Sequence, residues 1–227
     1  MLRTKVYVDG YNLYYGCLKG TPHKWLDLHK LFNNHIIPSS AVNKSELIGI
    51  KFFTAPILEK ASKSLDSVSS QNKYHTALQK LYSNEIEIIK GYYSLTKSKV
   101  KVVDTSNPEK WARECEEILV WKVEEKQTDV NLALHAYHDA INNIVDQVVI
   151  VTNDTDIAPA LQMIRDFTPV VIGVVIPTTS NIRQPNAALT KLAHWVRDHI
   201  TDSELANSQM PNVIIGGRKP AIKPASW

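Results

Sequence analysis

Cysteine is scarce. Cys17 and Cys115 are the two in the chain, with no CxxC spacing and no clear histidine partners. A disulfide framework and a zinc site are therefore unsupported, and reduced thiols in a cytoplasmic protein are expected. No apolar run approaches the length of a membrane span. The short N-terminal apolar run already contains Asp9, so no secretory leader is expected either. Glycine totals eight, and none of it forms the G-x-G-x-x-G fingerprint of a dinucleotide site, which argues against nicotinamide or flavin binding. No internal repeat is present. Charge of neither sign dominates, since 26 Lys and Arg against 23 Asp and Glu leave a net +3. That is compatible with a polyanionic partner and far from proof of one. The eight histidines fall mostly in helical patterns, such as His135 and His138, and read as packing or surface residues.

What is present is enough for a core. At 227 residues and 44% hydrophobic content the chain reads as one globular domain. Strand and helix patterns alternate, which predicts a mainly parallel sheet with helices on both faces, a three-layer α/β/α arrangement. Strands are expected around Val6–Val8 and over 47–57, 86–94, 147–152 and 169–177. Helices are expected over 25–37, 74–82, from Asp129, from Asp156, and over 187–196. The segment 97–104 alternates lysine with apolar residues and reads as a strand with one solvated face. Residues 111–123 fit either helix or strand, with a short helix or loop and then a strand edge preferred. Residues 1–206 form the expected domain, and the Pro- and Gly-containing 207–227 reads as a tail.

The organising stretch is residues 5–16, KVYVDGYNLYYG. An apolar strand ends abruptly at Asp9, and Asp9-Gly10 is a turn signal before a short helix. The chain thus delivers a carboxylate to the carboxyl end of its first strand, where open α/β sheets bind ligands. QVVIVT followed by Asn153, Asp154, Thr155 and Asp156 repeats the design. Between them, Asp129 opens a helix that runs back towards residue 147. Asp9, Asp129, Asp154 and Asp156 can therefore converge. Taken singly, each acid is equally well explained as a turn residue or an N-cap, and Asp156 as a helix-dipole acid. The coincidence of three at one sheet edge favours metal ligation. Clustered carboxylates repel unless a cation sits among them, and hard oxygen ligands suit Mg²⁺ or Mn²⁺.

VDGYN, EEKQTDVNLAL and VTNDTDIAPAL, in that order and at these spacings, resemble the NYN domain family, the LabA-like branch of PIN-like ribonucleases. The resemblance covers roughly residues 3–200. It implies a PIN-like, Rossmann-like fold and a metal-dependent nuclease site. Its motifs carry over to Asp9 and Asn12, to Asp129, and to Asp154 and Asp156. The third motif departs from the family, which usually has Ser-Gly before the first acid and Phe after the second. Here those positions hold Thr152, Asn153 and Ile157.

The function expected from the resemblance is a Mg²⁺- or Mn²⁺-dependent ribonuclease. Asp9, Asp129, Asp154 and Asp156 would hold the metal, a metal-bound water would attack phosphorus, and RNA would be the substrate. Asn12 would bond the scissile phosphate or Asp9. Lys126, Thr152, Asn153, Ser180, Asn181 and Arg183 are candidate substrate contacts, each with an ordinary loop, cap or solvated-charge reading beside it. Lys90, Lys97, Lys99 and Lys101 with Tyr92 and Tyr93 suit single-stranded nucleic acid, although lysines guarding a strand edge give the same letters. Two other classes stand against the nuclease. One is a non-catalytic nucleotide- or RNA-binding module. The other is a small-molecule redox enzyme, because a few relatives of this family are linked to redox chemistry. The oligomeric state is open, a homodimer being one expectation.

Overall fold

Strand β1, Leu2–Asp9, lies at the centre of the sheet, with Val6, Tyr7 and Val8 completely buried. In the computed structural model, which describes residues 1–40, 44–62, 66–179, 183–217 and 219–227, the chain then alternates much as the pattern predicts. Helix α1, Gly10–Leu13, continues into a π-helical turn, Tyr14–Leu18. Helix α2, Leu28–Leu31, runs through a second π turn into α3, Ile37–Ser40. Strand β2 is Ser45–Thr54, helix α4 is Ser67–Leu81 and strand β3 is Ile86–Lys90. Strands β4, Tyr92–Lys101, and β5, Glu117–Lys126, follow, then α5, Thr128–Ile141. Next come β6, Gln147–Val151, α6, Ala158–Phe167, and β7, Val171–Val175. Helix α7, Ala187–Thr190, strand β8, Trp195–Arg197, and helix α8, Asp202–Asn207, lead to the short β9, Val213–Ile214, and β10, Ala221–Ile222.

The main sheet has six strands in the order β3-β2-β1-β6-β7-β8, and every pairing is parallel. Alternation along β1 sends Val6 and Val8 into one core and Tyr7 into the other. The first core lies under α1, α2 and α4. The second lies under α5 and α6, through Leu132, Ala136, Leu161 and Ile164. The expected three-layer α/β/α architecture is therefore the one observed. From β1 the chain winds one way to β2 and β3, and from β6 the other way to β7 and β8. The switch point lies between β1 and β6, and a ligand crevice is expected outside their carboxyl ends.

Three expectations are corrected. The strand expected over 86–94 stops at Lys90. Gly91 donates to the Thr54 carbonyl, and the chain leaves the sheet for an antiparallel ribbon in which β4 pairs only with β5. The lysines at 97, 99 and 101 lie on that ribbon. The helix expected over 187–196 ends at Thr190. Trp195 is drawn into the sheet instead, its indole filling the space over Gly173 and donating to Gln147 Oε1 at 3.0 Å, while His194 Nδ1 accepts from Ile172. A tertiary packing site outweighs the local helical period there. The segment from Asn207, expected as a tail, packs down instead. Met210, Ile214 and Ala221 are buried in the first core, and Trp227 meets Trp25 and Tyr74 edge-on or tilted at about 6 Å.

Candidate functional site

Asp9 is the last residue of β1 and the N-cap of α1. It is 2% exposed. Burial of that kind is costly for a carboxylate unless its oxygens are bonded, and here both are. Oδ1 accepts from Asn12 N at 2.9 Å, and Oδ2 accepts from Asn12 Nδ2 at 2.6 Å and Thr152 Oγ1 at 2.8 Å. Burial still pushes the Asp9 carboxyl above its ordinary range, against the pull of these donors, with the nearby Asp154 charge adding to the rise. Of the two partners expected for Asn12, the structure shows Asp9.

Thr152 ties the two strand ends together. It follows β6, donates to Asp9, and accepts from Asp154 N at 3.1 Å. Asp154 in turn accepts from Asp156 N at 3.0 Å and caps a 3₁₀ turn, Thr155–Ile157. The threonine that departs from the family pattern thus bridges the first and third motifs. Ile157, the other departure, is buried against the second core.

Asp129 sits in the first turn of α5. Asp9, Asp129, Thr152 and Asp154 line one crevice at the switch point, with Leu132 and Ile157 as its apolar walls. Asp129 as a residue is solvent-accessible, but its carboxyl borders this crevice. Burial there, followed by the charges of Asp9, Asp154, Glu125 and Asp156, pushes it up to about 6. A carboxyl poised near neutrality is what a proton-transfer site needs.

The other expected contacts are distributed differently. Asp156 is exposed and is not part of the crevice lining, although its charge reaches Asp129. Lys126 is paired with Glu124 at 3.3 Å on the ribbon. Asn153 holds the following loop, donating to the Gln184 carbonyl and accepting from Asn186 N. Arg183 is exposed. Ser180 and Asn181 lie outside the described residues. All four acids are near one another, yet among the described residues no group of three His, Cys, Asp or Glu side chains is placed to hold a metal ion.

At the rim, Tyr11, Tyr15 and Thr128, which the sequence does not single out, join Glu125 and Tyr93. Glu125 Oε1 accepts from Thr128 Oγ1 at 2.6 Å, and its Oε2 accepts from the Tyr93 hydroxyl at 3.0 Å. This clasps the root of the ribbon to the start of α5. Tyr11 and Tyr15, one helical turn apart, stand beside it with ring centroids 4.4 Å apart. Burial and the charges of Glu125 and Asp9 hold the Tyr11 hydroxyl above its ordinary range. The spacing of Tyr11 and Tyr15 after Asp9 was the available signal.

A model of the NYN domain matches residues 3–192. The chain belongs to the NYN domain family. The protein is 59% identical over 236 aligned positions to the 6-hydroxy-3-succinoylpyridine 3-monooxygenase HspA of Pseudomonas putida, covering 100% of this chain and 75% of that one. A crystal structure of a Vibrio parahaemolyticus protein of unknown function shares 19% identity, covers 88% of this chain and 94% of its own, and superposes with a TM-score of 0.49. At that distance it carries no argument. The P. putida relative overturns the expected metal-dependent ribonuclease. A NYN domain by itself points towards nucleases, but a relative 59% identical, matched over 75% of its own length, is named as a 6-hydroxy-3-succinoylpyridine 3-monooxygenase. The acidic crevice common to the two readings does not choose between them, because carboxylates at a strand edge serve proton transfer as readily as phosphoryl chemistry. No helix among the described residues is long and apolar enough to cross a membrane.

Proposed function

We propose that this NYN protein is a monooxygenase acting on a small heteroaromatic substrate, a hydroxylated pyridine with a carboxylate-ended acyl chain. The observation that carries this reading is the 59% identity, maintained over the whole chain, to a protein named for that activity. In such a reaction one atom of dioxygen bonds to a ring carbon and the other becomes water. At ring position 3, which carries the acyl chain in that substrate, the ring–acyl bond breaks as the oxygen bonds, the chain leaves as an aldehyde, and four electrons from a reduced nicotinamide or flavin with four protons complete the balance.

The crevice supplies groups suited to the substrate side of this chemistry. Asp129, held at about 6, is the candidate base for the ring hydroxyl. As a carboxylate it takes that proton, and the resulting oxyanion makes the ring electron-rich and receptive to electrophilic oxygen. Leu132 and Ile157 line the crevice beside Asp129 and help to shield its carboxyl from water. Asp9 is a positioning residue, since its oxygens are already occupied by Asn12 and Thr152. The all-oxygen donor set of Asp9, Asp129 and Asp154 has the chemistry of a Mg²⁺ or Mn²⁺ site rather than of the two-histidine iron sites of oxygenases. These side chains are not gathered closely enough to hold such an ion as they stand, so no step is assigned to one. The three motifs support placement in the LabA-like branch, and the free thiols of Cys17 and Cys115 support a cytoplasmic location.

The deciding experiment is turnover of 6-hydroxy-3-succinoylpyridine under ¹⁸O₂, with NADH or reduced flavin as donor. Oxygen uptake and one ¹⁸O atom in the aromatic product are expected. No oxygen uptake and no label with either donor would remove the assignment.

A further inference from the structure

We infer that Tyr11, Tyr15 and Lys19 form a binding strip for an aromatic carboxylate, with the ring held next to the crevice and the carboxylate at Lys19. The inference rests on the monooxygenase reading for its substrate class and on the geometry of the first helix for its residues.

Helix α1 starts at Asp9 and its π-helical continuation ends at Leu18. Although the π turn and the extended Lys19 break the α-helical period, the side chains of residues 11, 15 and 19 stand next to one another along this segment. The Tyr11 and Tyr15 rings lie 4.4 Å apart at an interplanar angle of 36°. Lys19 Nζ stands 4.5 Å from the centre of the Tyr15 ring. Every step along the strip is thus shorter than 5 Å, the scale of a pyridine ring with a four-carbon acid chain.

Two large aromatic side chains about half exposed, at 47% for Tyr11 and 50% for Tyr15, are poorly explained as core. They flank the acid crevice rather than lying at random on the surface. The hydroxyl of Tyr11 feels both Asp9 and Glu125, and that of Tyr93 feels Tyr11 and Tyr15. The backbone that carries them is fixed in place. A Cβ on Gly16 would lie 1.7 Å from the Pro177 carbonyl oxygen, so the π turn is pressed directly onto the chain leaving β7. A π turn is itself a frequent mark of a functional segment.

Chemically the strip is graded. Its inner end is flat and electron-rich, and stacks an aromatic ring in an offset or tilted geometry. Its outer end is cationic and exposed, with no carboxylate partner within ion-pair distance among the described residues. The acids around the crevice repel an anionic tail, so the chain end of the ligand is directed outwards to Lys19.

The test compares two ligands on the full-length protein by tyrosine and tryptophan fluorescence or calorimetry. One is 6-hydroxy-3-succinoylpyridine. The other is 6-hydroxy-3-butanoylpyridine, which lacks only the carboxylate. Wild type should bind the acid about tenfold more tightly at low salt, with the preference shrinking as salt rises. Lys19→Gln should abolish the preference by weakening the acid alone, and Lys19→Arg should restore it. Tyr11→Ala should weaken both ligands by a similar factor. Equal affinity of wild type for the two ligands, absent binding of the acid, or equal weakening of both by Lys19→Gln would overturn the strip. Binding with the expected Lys19 dependence but no oxygen uptake would retain the strip and remove the monooxygenase reading. Turnover with an unaffected Lys19→Gln variant would do the reverse.

Discussion

Thr152 and Trp121 show two ways a side chain can sit in this molecule. Thr152 is 1% exposed, and its hydroxyl gives a hydrogen bond to Asp9 and takes one from Asp154. Trp121 is 63% exposed on β5, with Lys97 of the facing strand 5.2 Å over its ring. The first belongs to a crevice braced by two cores and a parallel sheet. The second belongs to a ribbon that pairs only with itself and leaves Leu119 and Trp121 mostly in water. A two-stranded hairpin of this kind is marginal alone, and cross-strand pairs add only about 0.2–1 kcal/mol each. The crevice should therefore respond sharply to small changes, and the ribbon hardly at all.

The largest effect is expected from Gly16→Ala. The added methyl would meet the Pro177 backbone oxygen at 1.7 Å, and a backbone obstacle cannot rotate away. The cost should reach or exceed the upper end of the ~1–3 kcal/mol of overpacking. For 3 kcal/mol that is roughly 6–12 °C in a chain this size. A melting point within a degree of wild type would show that the first helix is free to move off the sheet.

Thr152→Val comes next. It preserves shape but strips Asp9 Oδ2 of one donor and Asp154 N of its acceptor. Leaving such groups unpaired costs about 1–3 kcal/mol, so melting should fall by several degrees and substrate turnover with it. A stable, fully active variant would mean that water replaces the hydroxyl without loss.

Asp129→Asn sharpens the comparison through pH. In the folded protein this carboxyl titrates at about 6 rather than 3.8. A raised carboxyl favours the native state while protonated, so that contribution is present below about pH 4 and is lost as pH rises through about 6. The variant, neutral throughout, should melt higher than wild type at pH 7.5, with the gain shrinking towards pH 4. A gain independent of pH would disconnect Asp129 from its acidic neighbours. Turnover by this variant should fall at every pH, because the proton acceptor is gone.

Trp121→Ala should do least. It loses a cation–π contact of about 0.5–1 kcal/mol at an exposed site, and melting should shift by no more than about 1–4 °C. A drop as large as that of Gly16→Ala would show the ribbon to be an integral part of the fold.

How far the site could be read in advance follows the range of the forces involved. Asp9-Gly10 and Asp154–Asp156 announce themselves because strand termination, Asx turns and caps are set within four residues. Tyr11 and Tyr15 are equally local, but nothing in a single chain says which face of a short helix is left uncovered. The helical period up to Val196 predicts a helix that includes Trp195. Only Gly173, more than twenty residues earlier, explains why it enters the sheet.

By itself, then, the sequence determined the layered α/β class and the delivery of Asp9 and Asp154 to strand ends, because these depend on periodicity and short-range turn chemistry, while the family was legible through the resemblance of three motifs. The tertiary structure alone decided that β1 lies beside β6 and that Thr152 bridges Asp9 to Asp154. Those contacts join residues more than a hundred positions apart, and the departure of the lysine-rich strands from the sheet rests likewise on non-local pairing, of Gly91 with Thr54 and of Tyr92–Lys101 with Glu117–Lys126. The choice between nuclease and monooxygenase lay in neither the four acids nor their convergence. Carboxylates raised by burial and by one another are competent for more than one chemistry, and what surrounds them selects among the options.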